Sequence, residues 1–163
     1  LDTVLTQIDE KVFLAHRPMI AGQGGDEPVP VARISRGQSP ELMPRASVHD
    51  VLREELGSDV RVVACGGDDP LHQEREQWTD GANAVCVSPG HIILYSRNVH
   101  TAKALEELGF KPYRLSTVQS REERRALVEA GMRDERALFA FTGSELSRAR
   151  GGGRCLTMPI RRA

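Results

Sequence analysis

Cys155 is the residue best suited to nucleophilic chemistry in this 163-residue chain. It follows three consecutive glycines flanked by Arg150 and Arg154, within "SELSRARGGGRCLTMPI" (144–160). Nearby cations stabilise a thiolate, the nucleophilic form of cysteine. Glycines let a substrate come close and leave backbone N–H groups open to an anion. The same residues admit a plainer reading, a flexible glycine loop before a terminal strand that happens to begin with cysteine. "RGGGRC" lacks the Lys-Ser/Thr of a phosphate-binding P-loop, and no helix pattern follows it. Cys65, at the end of a strand, and Cys86, mid-strand among Ala84, Val85 and Val87, are expected to fill the core. His16, His49, His72, His91 and His100 show no metal-ligand spacing, so no metal is expected. None of them adjoins Cys155 in sequence, so a base for it cannot be read locally. A second unusual stretch, "EREQWTDGANAV" (74–85), sets the only tryptophan among charges and a D-G turn. It reads either as a surface loop anchored by one aromatic or as a structural clamp or site-lining loop.

Composition narrows the setting. Hydrophobic residues at 39% and charged ones at 28% describe an ordinary globular domain. A formal net charge of -1 offers no basic footprint for nucleic acid or for an anionic membrane. No apolar run approaches the length of a membrane span. Three scattered cysteines with no C-x-x-C pair argue for a reducing, cytoplasmic setting and against disulfides or structural zinc. "LDTVLTQID" (1–9) begins directly as a strand-like alternation, which suggests a piece of something longer.

The elements that must position these residues follow from pattern. Segments 11–16 and 29–35 read as strands, with a Gly/Pro-rich loop between them. Ser47 caps a helix over "VHDVLREEL", which Gly57 stops, and "DVRVVAC" follows as a buried strand. After a polar stretch (66–80), "ANAVCVS" and "HIILYS" form a hairpin about Pro89-Gly90. A helix at "HTAKALEEL", stopped by Gly109, leads to a strand "FKPYRLS". Ser120 and Glu123 form a capping box for a third long helix, with Gly131 as its stop, before a short strand "ALFAF". E-E-L-G occurs at 54–57 and again at 106–109, each time with two strands before the helix and one after. That pattern is either a strand-strand-helix-strand unit present twice or the coincidence of a common helix end.

Taken together, "SELSRARGGGRCLTMPI", "EREQWTDGANAV" with the following "SPG" and "YSRN", and "LDTVLTQID" resemble the bacterial arginine deiminases. The three motifs stand in the family's order across nearly the whole chain. The resemblance implies an α/β fold of strand-strand-helix-strand modules, about two of the five of a pseudo-fivefold, pentein-like α/β propeller. Those modules would span about 1–66 and 82–163. Residues 119–141 exceed the family's usual connection and are expected to form an inserted helix and short strand at the surface. The resemblance further implies hydrolysis of L-arginine to L-citrulline and ammonia, with no cofactor and no metal. Cys155 matches the nucleophile, Arg150 the residue that pairs with the substrate α-carboxylate, and Asp2 an aspartate that grips the guanidinium. The family's H-x-D histidine would fall just before Leu1, and its other catalytic carboxylates lie further upstream. The chain is therefore expected to be the C-terminal two-fifths or so of such an enzyme, to need the N-terminal part to complete the site, and to be inactive alone. Two alternatives stand beside this reading. One is an enzyme for another guanidino compound, for which Arg150 would discriminate. The other is a non-catalytic binding module whose exposed apolar seam favours self-association or pairing with a separate chain.

Overall fold

The computed structural model describes residues 3–22, 28–43, 46–149, 151–158 and 160, and they form a mixed α/β fold. From the N-terminus the chain runs β1 (Leu5–Asp9), β2 (Val12–Ala15), α1 (Arg17–Ala21), β3 (Val31–Arg33), β4 (Glu41–Met43), α2 (Val48–Leu56) and β5 (Arg61–Ala64). It continues through α3 (Pro70–Trp78), β6 (Val85–Ser88), β7 (His91–Tyr95), α4 (Val99–Glu106), β8 (Lys111–Arg114), α5 (Arg121–Gly131), β9 (Ala137–Phe141) and α6 (Ser144–Arg148). No helix among the described residues is long and apolar enough to cross a membrane.

Two sheets carry the core. In the first, β1 pairs antiparallel with β2, and β5 runs parallel to β2. In the second the order is β6-β7-β9-β8, with β6–β7 antiparallel and β9 parallel to both of its neighbours. One apolar cluster spans both sheets: Ile8, Leu14 and Val63 from the first pack with Ile92, Leu94 and Leu138 from the second. The sheets are also joined where Gly90 N–H donates to the Ile8 carbonyl at 3.0 Å and where Arg136 pairs with Asp9 at 2.8 Å. The expected N-caps form, the box at Ser120 only in its first half, with Ser120 accepting from the Glu123 N–H at 3.1 Å. Ser47 accepts from the Asp50 N–H while the Asp50 side chain accepts from the Ser47 N–H, a complete capping box.

Several sequence expectations need correction. Residues 17–21 and 70–78 are helices where a loop and a polar stretch were expected. In α3, Asp69 caps the first turn and Pro70 sits just inside it, a start signal visible in the sequence itself. The strand within 29–35 joins neither sheet but pairs with β4 in a separate two-stranded hairpin. Strand β9, expected at the surface, is instead an interior strand, with Ala137, Leu138, Phe139 and Ala140 all buried. Its uninterrupted apolar run suits a strand covered on both faces, whereas β8, with Lys111, Pro112 and Arg114, suits the edge. Consequently the strands that follow the two E-E-L-G helices are not equivalent: β5 lies directly beside β2, but β9 separates β8 from β7. Gly131 is no left-handed stop either. It is the last residue of α5, and a Cβ there would lie 2.5 Å from the Phe139 ring. Cys86 is exposed rather than core-filling, because β6 is the other edge of its sheet.

A candidate active site around Cys155

The glycine segment leaves α6 and closes into one 3₁₀ turn, Arg154–Leu156, with Cys155 exposed in its middle. Neither Gly152 nor Gly153 adopts positive φ, so backbone conformation is not what demands glycine at these two positions. Close approach demands it at Gly152. That residue is buried against the Asn83 side chain, and a Cβ would overlap the Asn83 amide. The absent side chain thus admits a neighbour from within the protein, in addition to any ligand from outside.

Asn83 is 1% exposed and uses both ends of its amide on this turn. Its Oδ1 accepts from the Arg154 backbone N–H at 3.0 Å, and its Nδ2–H donates to Cys155 Sγ at 2.9 Å. Tyr95 supplies a second hold: its phenol donates to the Gly151 carbonyl at 2.6 Å. Burial, reinforced by nearby Asp80 and Cys155, pushes the Tyr95 phenol above its ordinary value, which keeps the donating proton in place. Arg97 Nη1 donates to Ser147 Oγ in α6 at 3.0 Å. The turn bearing Cys155 is therefore tied at its start, middle and approach helix to residues 50 to 72 positions earlier.

Those residues are themselves fixed by the 74–85 segment. Glu76, buried in α3, accepts from the backbone N–H groups of His100 (2.9 Å) and Thr101 (2.8 Å) and from the Thr101 hydroxyl (2.6 Å). These are the first-turn donors of α4, whose own N-cap residue, Asn98, makes no side-chain cap. The Asn98 side chain is committed instead to Thr79, donating to its carbonyl at 3.1 Å and accepting from its hydroxyl at 2.5 Å. Asp80 then takes a left-handed conformation (φ 58), tolerable for aspartate, and the chain turns into Asn83 and β6. Of the sequence readings of 74–85, a clamp fits. It works through Glu76, Thr79 and Asn83, while Trp78 is 57% exposed.

Of the other residues singled out in sequence, Asp2 and Arg150 lie outside the described residues. Cys65 is fully buried, and desolvation pushes its thiol up to about 12, which makes it inert. His72 and His100 stack on each other with ring centroids 3.6 Å apart, a packing role. Among the described residues no group of three or more His, Cys, Asp or Glu could hold a metal ion. Sequence reasoning assigned no role to Asn83, Tyr95 or Glu76. The only signal for them was their place within the two upstream motifs.

The family model for arginine deiminase matches residues 1–162. The arginine deiminase of Borrelia duttonii (strain Ly) is 35% identical over 165 residues, covering 98% of this chain and 32% of the relative. That of Clostridium perfringens (strain SM101 / Type A) is 33% identical with the same coverage. That of Listeria innocua serovar 6a is 35% identical over 99% of this chain and 33% of its own. The chain thus spans about a third of the length of these curated relatives, less than the two-fifths expected. A match that runs nearly end to end, through every segment converging on the Cys155 turn, makes this chain a member of the arginine deiminase family.

Proposed function

We propose that this chain is the nucleophile-bearing, C-terminal part of an enzyme that hydrolyses L-arginine to L-citrulline and ammonia. The observation that carries the reading is the exposed Cys155 thiol, seated on a glycine turn and held by a buried amide at 2.9 Å. A thiol positioned in this way can attack a planar, electrophilic carbon that approaches from solvent. The Cys155 thiolate adds to the guanidinium carbon. A terminal C–N bond then breaks, and the nitrogen leaves as ammonia after gaining a proton. Water adds to the same carbon of the covalent thiouronium, the C–S bond breaks, and citrulline leaves with the thiolate restored. Arg150 is assigned to the substrate α-carboxylate, a group that a guanidinium can grip through two N–H donors, and Asp2 to the substrate guanidinium. The acid/base that moves the protons and the remaining carboxylates come from the rest of the enzyme. General acid–base assistance alone is worth about 10²–10⁴-fold, so the 163 residues by themselves turn over little arginine.

In this reading the two sheets belong to two strand-strand-helix-strand modules, about 1–66 and 82–163, of a pseudo-fivefold ring. The shared core between the sheets and the hairpin that opens each of them support it. The test is citrulline formation by the complete enzyme and by its Cys155→Ser variant. Abolished turnover is expected, and substantial citrulline from the variant would refute the assignment. Full activity from the 163-residue chain alone would refute the need for the remainder.

A further inference from the structure

We propose that Asn83 is a positioning residue for the Cys155 sulfur, with one buried amide orienting the thiol and the turn that carries it together. The proposal rests on the reading of Cys155 as the nucleophile.

Holding the turn requires only an acceptor for the Arg154 N–H, which Asn83 Oδ1 provides. The amide's other end has no turn to hold, yet its N–H points at sulfur. A fixed N–H dipole is a stronger partner for a thiolate than for a thiol, and it is already oriented before the reaction begins. The amide has little freedom to swing away. It is almost wholly buried, and Gly152 packs directly against it. Its backbone is tethered as well, the Asn83 N–H donating to the Asp80 carbonyl at 3.0 Å across the turn that follows α3. Sulfur position is thus set from β6 and the end of α3, not from the glycine segment alone.

The two ends of the amide can be tested separately on the 163-residue chain, with Cys86→Ser to remove the other exposed thiol. Labelling of Cys155 by iodoacetamide at fixed neutral pH is followed by peptide mass spectrometry, and Cys65 stays unlabelled in every variant that has folded. Asn83→Asp keeps an acceptor for the Arg154 N–H but removes the donor and sets a carboxyl oxygen against sulfur. It should slow labelling about tenfold or more, the change expected from losing a hydrogen bond to a charged group. If holding the turn were the whole role, Asn83→Asp would label at the parent rate, and that result overturns the proposal. Should a buried aspartate prevent folding, Asn83→Ala decides by sign. A loosened turn labels at the same rate or faster, which overturns the proposal, whereas a lost donor labels more slowly. In the complete enzyme the same variants should lower kcat with KM within about twofold; raised KM with unchanged kcat overturns it. Labelling requires no turnover, so this proposal can fail while Cys155→Ser still abolishes citrulline formation, and the reverse holds too.

Discussion

Glu76 caps a helix to which it does not belong, and removing it should be among the costliest single substitutions in the chain. Glu76 is 5% exposed, and its carboxyl group receives three donors from the first turn of α4: the His100 N–H, the Thr101 N–H and the Thr101 hydroxyl. Thr101 Oγ1 in turn accepts from the Gly66 N–H at 2.8 Å, so the same group steadies the end of β5. Glu76→Ala leaves two backbone donors and a hydroxyl without that acceptor in a buried place. At about 1 kcal/mol for each bond lost, the cost is about 3 kcal/mol. Against a total stability of about 5–15 kcal/mol, that is a large share. Glu76→Gln retains one acceptor oxygen but turns an NH₂ toward donors, for about 2 kcal/mol.

Urea unfolding measures this directly. With a slope of ~2 kcal/mol/M, Glu76→Ala should lower the midpoint by ~1.5 M with the slope unchanged, and Glu76→Gln by ~1 M. Arg125→Ala is the internal comparison. It removes an exposed pair with Glu129 one helical turn away and should cost no more than about 0.5 kcal/mol. A Glu76→Ala midpoint no lower than that of Arg125→Ala would refute the claim that Glu76 caps α4.

Gly131→Ala reverses the usual helix rule. Alanine normally gains about 1 kcal/mol over glycine inside a helix, but here the added Cβ meets the buried Phe139 ring at 2.5 Å. A net loss of about 1–2 kcal/mol and a lower thermal midpoint are expected, and a raised midpoint would contradict the packing. The Asp50 carboxyl is held below its ordinary value, first by the Ser47 hydroxyl and then by the Ser47 N–H. Its stabilising contribution is therefore present above the unfolded value of about 4 and is lost as pH falls through the lowered folded value. The melting-temperature gap between the parent and Asp50→Ala should accordingly shrink on acidification below about pH 4, and a gap that widens would give the wrong sign. Burial of Cys65, its thiol pushed up to about 12, predicts that Cys86 and Cys155 react with a thiol reagent at pH 8 in the native chain while Cys65 reacts only in urea. Native reaction of Cys65 would mean that the core shared by the sheets opens readily.

What was legible in the sequence was local. Ser47 with Asp50 and the Pro89-Gly90 hairpin depend on neighbours a few positions away and form as expected, and Gly109 takes positive φ just past the end of α4. The Asp69-Pro70 start of α3 was equally local and was missed, because the polar residues after it lack an apolar stripe. Sheet order was not legible. Whether "ALFAF" lies inside or "FKPYRLS" at the edge depends on pairings across 20 to 50 residues, and the inward or outward facing of Cys86 depends on that order in turn. Gly131 misled for a related reason. A glycine at a helix end looks like a stop, but the ring that requires it arrives from β9. At the candidate site, Cys155 stood out by residue type alone, whereas Asn83, 72 positions earlier, carried nothing that marked it as a partner of sulfur.

The polar groups that support the Cys155 turn are expensive ones to bury. Asn83, Asn98, Thr101 and Glu76 are each at most 5% exposed, and each is matched by specific donors or acceptors. Apolar side chains of similar volume would leave the His100, Thr101 and Arg154 N–H groups without these acceptors, so the network satisfies main chain as well as its own members. Satisfying buried main chain is one role of the network, and the route it takes is another. Its links run in one direction: Glu76 starts α4, Asn98 ties that start to Thr79, the chain turns at Asp80, and Asn83 reaches the sulfur. Hydrogen bonds fix distance and angle where apolar contacts fix only proximity, and catalysis by an attacking thiolate depends on the former. In the proposed function, the links that satisfy buried main chain also fix the position of the Cys155 sulfur, because the last of them ends on it.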